Sequence, residues 1–472
     1  MLRTLFADLA AQTRLPADET THLLNRITWG ARPQDVARAR SIGLEAVLDE
    51  QLNPHTIDDS ALESQLSPIL TMDRRTLFRL SSEYRAYRAL VRGTVMRAVH
   101  SERQLLERMV DFWTDHFNVP FEEENGPDLV LFQREAIRRH ALGRFRDLLL
   151  ATAKAPAMLV YLDNFVNVAQ APNANYAREL MELHTLGVEG GYTEDDVVAV
   201  ARAFTGWTVD DRVPDGFYFN REEHDEREKV VLGRRLPAGR GIEDGLHVLS
   251  ILADHPSTAR YISAKLIRRF VRDDPPADLV ESTAAVWQAT GGQIRPVLRH
   301  ILTSEAFAGS VGQKYRRPFD FLVAALRATG TTFAYDEVLF ETLQRLGQVP
   351  FGWKPPDGYP DTAAAWLNTG GLLMRWNTAS LLTHTAYSAT YEERMGVRAD
   401  LHIEGPRTAG QLVDAVAQRV FAVPLPASMR AELVDFVTDG GDADTPVTPR
   451  MRARKLASLY QLMLASPMFQ WR

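Results

Sequence analysis

The chain has 472 residues, more than one average domain, and its 45% hydrophobic content is enough to bury a large globular core. With 54 basic against 61 acidic side chains, a net charge of −7 and no basic stripe, it is a poor candidate for general nucleic-acid binding. Cysteine is absent, which excludes disulfides, thiolate nucleophiles, zinc–thiolate sites and cysteine-ligated iron–sulfur clusters.

The amino terminus, MLRTLFADLAAQTRLPADET, shows a short amphipathic pattern with Arg3, Asp8 and Arg14, unlike an export signal with an uninterrupted apolar centre. No apolar run reaches the ~18 residues of a membrane span, since LLLATAKAPAMLVYL is broken by Lys154 and Pro156. The default expectation is therefore a cytoplasmic protein. Residues 21–54 read as two or three short helices, capped by Thr20 or Thr21, opened again by Pro33 and broken at Gly43 and Pro54. Residues 55–75 are polar and irregular, and a long helical stretch follows from Thr76 to Pro120.

Within that stretch, Leu105, Met109, Phe112 and His116 form one stripe, with Leu106, Val110, Trp113 and Phe117 beside it, so His116 shares a buried face. Such a histidine is either a satisfied core residue or a ligand or proton carrier. The next helix, about Leu129 to Leu142, places His140 on a face with Gln133 and Ile137. An apolar helix broken near Pro156 then delivers Asp163 and Asn164.

Residues 173–207 concentrate ionisable groups on two helices hinged at Gly190 and Gly191. Asn173 and Asn175 are good caps for the first, and Thr193 to Asp196 forms a capping box for the second. At about 100° per residue, Glu179 and Glu182 lie about 60° apart, whereas His184 lies about 140° and 160° from them. One helix cannot present all three to one metal ion. Either two carboxylates face a site and His184 faces elsewhere, or other segments contribute. The bland alternative is that the glutamates pair with Arg178 or with arginines of neighbouring helices.

Alternation in Phe217–Phe219 and Lys229–Leu232 predicts a small hairpin or two short strands, with His224 and Asp225 in the intervening loop. Further on, RRFVRDDPPADLV…VLRHILTSEAF and QRVFAVPLPASMR…LYQLMLASPMF repeat a helix, Pro-containing loop and helix. Between the copies, Phe351, Trp353, Tyr359, Trp366 and Trp376 interleave with prolines, either as a rigid coil over the core or as an aromatic wall. The predicted fold is mainly α: a large multi-helix globular fold with a small β-hairpin insertion. Residues 1–240 form a helical core part carrying the polar residues. Residues 241–472 form a helical part with the repeat at about 260–309 and 412–470, packed with the first as one unit.

Six blocks, HLLNRITWGARPQDV, LLERMVDFWTDHF, IRRHALGRFRDLLLATAKAPAMLVYLDN, NANYARELMELHTLGVEGGYTEDDVVAVARAFTGW, HPSTARYISAKLIRRFV and WLNTGGLLMRWN, together resemble the bacterial family known as domain of unknown function 1800 over nearly the whole chain. The resemblance implies a predominantly helical protein, often encoded beside a second family that carries an export signal. It also implies polar residues at His116, His140, Asp163, Asn164, Asn175, Glu179, Glu182, His184, His224 and Asp225. Thr114 stands where the family usually has another histidine, and Arg227 stands where glycine is usual.

Two functions are compatible with these residues. In the first, His116, His140, Glu179, Glu182, His224 and Asp225 hold a divalent metal, iron, manganese or zinc, for oxidative or hydrolytic chemistry, with Glu179, Glu182 and His184 as catalytic groups. Without a metal, a Glu and His pair does general acid–base work. In the second, the same residues form a hydrogen-bonded core and the chain binds a protein partner encoded nearby. No hydrolase elbow, phosphate loop or dinucleotide fingerprint appears.

Overall fold

A computed structural model of the chain describes residues 15, 17–122, 125–333 and 336–472. The amphipathic stretch through Arg14 lies outside the described residues. These fold into helices joined by short loops, with three two-stranded antiparallel sheets, a mainly α protein as predicted. No helix among them is long and apolar enough to cross a membrane.

Local chemistry accounts for most helix ends. Asp18, rather than Thr20 or Thr21, caps Glu19–Ile27 by accepting from the Thr21 amide at 2.8 Å. Pro33 opens Pro33–Ile42, which stops at Gly43 with φ +89°. Helices Glu83–His100 and Gln104–His116 follow, then Phe145–Ala153 and Pro156–Tyr161 on either side of the Pro156 break. The capping box of Glu194–Ala203 forms, with the Thr193 amide donating to Asp196 Oδ2 at 2.9 Å and the Asp196 amide to Thr193 Oγ1 at 3.3 Å.

Two helices contain π-helical turns, Phe132–Arg138 and Leu180–Thr185. In the second, the Leu186 amide reaches back five residues to Met181 O at 2.8 Å and the Thr185 hydroxyl to Leu180 O at 2.7 Å. Such turns carry an extra residue and change which side chains share a face.

The strands pair differently from one hairpin over 217–232. Phe217–Phe219 pairs with Trp207–Val209, and Lys229–Val231 pairs with Arg234–Leu236. Each strand finds its partner across the nearest turn, and residues 220–228, with His224 and Asp225, link the two ribbons.

The repeated sequences each fold as four successive helices. The first set is Pro256–Phe270, Ala277–Thr290, Ile294–Leu302 and Glu305–Ala308; the second is Ala409–Phe421, Ala427–Thr438, Pro449–Ala465 and Pro467–Gln470. Ser304 caps the last helix of one and Ser466 that of the other, each accepting from the amide of a buried phenylalanine, Phe307 or Phe469.

The coil Gly347–Asp361 runs across the end of Gln104–His116. Asn118 donates to the carbonyls of Trp353 at 2.8 Å and Pro355 at 2.7 Å. Gly358, at φ +75°, lies so close to the Asp115 carbonyl that a Cβ there would sit 1.9 Å from its oxygen. Gly291 ends its helix at φ 64° with nothing within 4 Å of an added Cβ. Chemical denaturation should show Gly291→Ala costing about 1 kcal/mol for the left-handed backbone alone, and Gly358→Ala costing about 3 kcal/mol or more for the added clash. Equal losses would mean that the coil is free to lift away from His116.

Candidate functional site

Helix Gln104–His116 carries Asp111 and Asp115 one turn apart, and both carboxylates are clamped by two buried arginines. Arg269, from Pro256–Phe270, lies 2.8 Å from Asp111 and 3.0 Å from Asp115, and Arg317 lies 2.5 Å from each. Arg269 also meets Asp361 of the coil at 2.7 Å, and Lys314 bridges Asp361 and Asp273 at 3.2 and 2.7 Å. A second group joins Arg108 and Arg472 to Asp320 at 2.6 and 3.2 Å.

Beside this grid the helix ends at His116, which is 1% exposed. Its Nε2 lies 3.0 Å from the His184 carbonyl; a carbonyl only accepts, so Nε2 carries the hydrogen and Nδ1 is left as a lone pair. The His184 ring, 2% exposed, lies 6.2 Å from that of His116 and 5.1 Å from that of Phe117. Neither His116 Nδ1 nor His184 Nε2 has a hydrogen-bond partner among the described residues. Burial, followed by the nearby Lys265 ammonium, holds both imidazoles neutral, pushing that of His184 down to about 3.

Lys265 and Tyr261 project from Pro256–Phe270 one turn apart, with Nζ 5.5 Å from the Tyr261 ring and that ring 6.4 Å from His116. Burial, opposed by Asp115 and Asp361, pushes the Lys265 amine down to about 8. Its residue is only part-buried by surface area.

Glu179 and Glu182 are half-buried on the adjoining helix. Arg178 donates to Glu194 at 2.5 and 3.1 Å, so the bland pairing with Arg178 does not form. No ion pair among the described residues involves Glu179 or Glu182. Burial, then the like charges of Glu182 and Asp357, raises the Glu179 carboxyl. Burial, then Glu182, raises the Tyr192 phenol, and Tyr261 feels both Glu182 and Asp357. Asp357 accepts from Trp353 Nε1 at 2.8 Å, and the rings of Trp353, Tyr359 and Trp366 follow at 5.1 and 6.0 Å, a half-buried aromatic row. The result is a floor of two neutral imidazoles and an amine, with carboxylates and phenols around it.

The remaining residues singled out in the sequence lie elsewhere. His140 is part-buried, and no contact joins it to the imidazole pair among the described residues. His224 Nδ1 donates to Thr205 O at 2.8 Å, while Nε2 faces Asp244 Oδ2 at 3.4 Å, beside the Lys229 ammonium at 2.7 Å from the same oxygen. Burial opposes ionisation of Asp225, but Arg227 and Arg202 hold its carboxyl well below the usual range. This group latches the two ribbons together. Asn164 and Asn167 donate to the Phe204, Trp207 and Ala201 carbonyls.

No three His, Asp or Glu side chains among the described residues are placed to hold one metal ion. Lys265, Tyr261 and Asp357 were missed in the sequence. The available signal was the i, i+4 stripe Tyr261–Lys265–Arg269 on an amphipathic helix.

A family model described as "Protein of unknown function (DUF1800)" matches residues 22–471. The chain belongs to the DUF1800 family. No curated protein and no solved structure matches it. DUF1800 membership covers nearly the whole chain but assigns no chemistry, so residue roles rest on geometry. At the two positions that depart from the family pattern, Thr114 donates to Val110 O at 2.7 Å and accepts from Gln133, and Arg227 contributes to the Asp225 latch. Thr114 and Gln133 line a cavity of about 340 Å³, with Leu70, Val110 and Phe351.

His184, and buried His22, pushed down to about 4, are held neutral by the fold, while the unfolded chain protonates them near 6.5. Their contribution is therefore complete above pH 6.5 and is lost as pH falls toward 4 and then 3, by ~2 kcal/mol per histidine at pH 5. Denaturant titrations from pH 7 to 4.5 should show His184→Leu falling less steeply than the parent chain, by about one proton. Parallel profiles would mean that His184 is already protonated in the fold.

Proposed function

We propose that the protein is an enzyme whose reaction turns on proton transfer by Glu179 and Glu182 beside the neutral His116–His184 pair. The observation that carries this reading is the absence of an ion-pair partner for either glutamate among the described residues, in a protein where most buried carboxylates have an arginine or lysine. A carboxyl raised by burial and by a neighbouring carboxylate, as that of Glu179 is, is a candidate for general acid–base work. The aromatic row offers a wall for the non-reacting part of a substrate.

The imidazole nitrogens left over, His116 Nδ1 and His184 Nε2, are also the atoms a divalent iron, manganese or zinc would use. A third protein ligand is not placed beside them among the described residues, so no step is routed through a metal. Glu179→Gln and Glu182→Gln should each lower turnover by about a hundredfold or more on any ester, glycoside or carbonyl compound that the parent chain converts, with unchanged thermal midpoints. Conversion that survives both substitutions contradicts the reading. Elemental analysis on the same preparations separates the metal alternative, since stoichiometric metal lost in His184→Ala would transfer the chemistry to that ion.

A second reading, binding of a protein partner encoded nearby, draws on a different face. Leu373 and Trp376, each 49% exposed, lie on helix Thr369–His384, and Leu462, 43% exposed, lies on Pro449–Ala465, against which that helix packs with Trp376 Nε1 donating to the Ala465 carbonyl at 3.0 Å. Such a grouping is costly to leave in water.

A further inference from the structure

The chain has six lysines, Lys154, Lys229, Lys265, Lys314, Lys354 and Lys455. Lys229, Lys314 and Lys455 are bound to Asp244, Asp273 and Asp439, and Lys354 donates to Phe121 O at 2.8 Å. Lys154 and Lys265 rest over aromatic rings without an ion pair among the described residues, and of these only Lys265 sits at the polar cluster. The reason is structural. The carboxylates nearest to Lys265, Asp115 and Asp361, are already taken by Arg269, Arg317 and Lys314. The other charged groups facing it, Arg268 and Arg269, repel an ammonium, and His116 and His184 are neutral.

An amine placed this way, part-exposed, without an ion pair among the described residues and set 5.5 Å from the ring of Tyr261, which itself lies in the field of Glu182, has the requirements of an imine-forming lysine. We propose that Lys265 is a catalytic nucleophile that captures the carbonyl carbon of an aldehyde or ketone substrate. The neutral amine adds to the carbonyl, forming the C–N bond while the oxygen takes a proton. The carbinolamine then loses water, the glutamate cluster supplying the proton that leaves with the oxygen, to give a protonated imine. Amine plus carbonyl plus one proton from the glutamate cluster therefore becomes protonated imine plus water, leaving a carboxylate, with no redox partner needed. The inference rests on the proton-transfer reading of the same cluster and adds the substrate class, carbonyl compounds with an apolar or aromatic flank.

Reductive trapping with cyanoborohydride tests it, using acetaldehyde, pyruvate and benzaldehyde as probes at pH 7 on the full chain, with peptide mapping of all six lysines. The expected result is an adduct at Lys265 formed about tenfold or more faster than at Lys154 or Lys354, as an amine lowered toward 8 allows, and lost in Lys265→Arg. Slowing by Glu179→Gln or Glu182→Gln supports both readings together. An adduct at Lys265 that is indifferent to both glutamates keeps the nucleophile and removes the proton-transfer role. Adducts at Lys154 or Lys354 with no preference for Lys265 overturn the proposal, and because mapping is done on the parent chain, this outcome does not depend on any variant folding.

Discussion

The double clamp of Asp111 and Asp115 by Arg269 and Arg317 is the constraint on which the rest depends. Charges this deep gain from pairing only if every partner is present, because each ion has lost its water; removing one partner typically costs 3–5 kcal/mol. The grid meets that condition by drawing groups from four places, helix Gln104–His116, helix Pro256–Phe270, the turn before Pro318–Ala328 and the coil at Asp361. Three of those places then contribute to the polar cluster or its wall. Helix Gln104–His116 ends in His116, helix Pro256–Phe270 brings Tyr261 and Lys265, and the coil brings Asp357 and the Trp353–Tyr359 pair.

The grid also sets the electrostatics of its neighbour. By consuming Asp115 and Asp361, the arginines leave Lys265 beside carboxylates that cannot neutralise it. The same burial keeps His116 and His184 uncharged, and among the described residues Glu179 and Glu182 feel Arg178 without forming an ion pair with it. Among the described residues, Lys265 without an ion pair and the neutral His116 and His184 thus stand next to a grid in which every carboxylate is paired. The His224–Asp225 group, by contrast, is saturated by Arg202, Arg227 and Asp244, and its geometry is that of a fastening.

Local signals in the sequence carried the helical class, the breaks at Gly43 and Pro156, the Thr193 capping box and the inward aim of His116, because each depends on residues within a few positions of one another. Glu182 and His184 lie in the π-helical turn Leu180–Thr185, where a 3.6-residue wheel does not set their angles, although His184 is buried and Glu182 only half-buried. The grid was not legible: Asp111 and Arg269 are 158 residues apart and Asp111 and Arg317 are 206 apart, and on each helix alone these side chains read as a solvated face. The π-helical turns escaped a 3.6-residue wheel for a related reason, since an inserted residue is set by tertiary packing around the Thr185 hydroxyl and not by composition. The strands were placed correctly but not their partners, because alternation marks a strand without choosing a neighbour.

The most direct measurement is the titration of the Lys265 amine, by competitive acylation with mass-spectrometric readout, in the parent chain, in Arg269→Met and in Arg317→Met, each checked for folding by circular dichroism. In the parent chain the amine should titrate near 8, and in either variant, with one cation fewer competing for Asp115, the titration should move up toward the ordinary lysine range of ~10.4. An amine that titrates in the ordinary range in the parent chain, or one that is unmoved in both folded variants, would contradict the claim that the arginine clamp is what leaves Lys265 free.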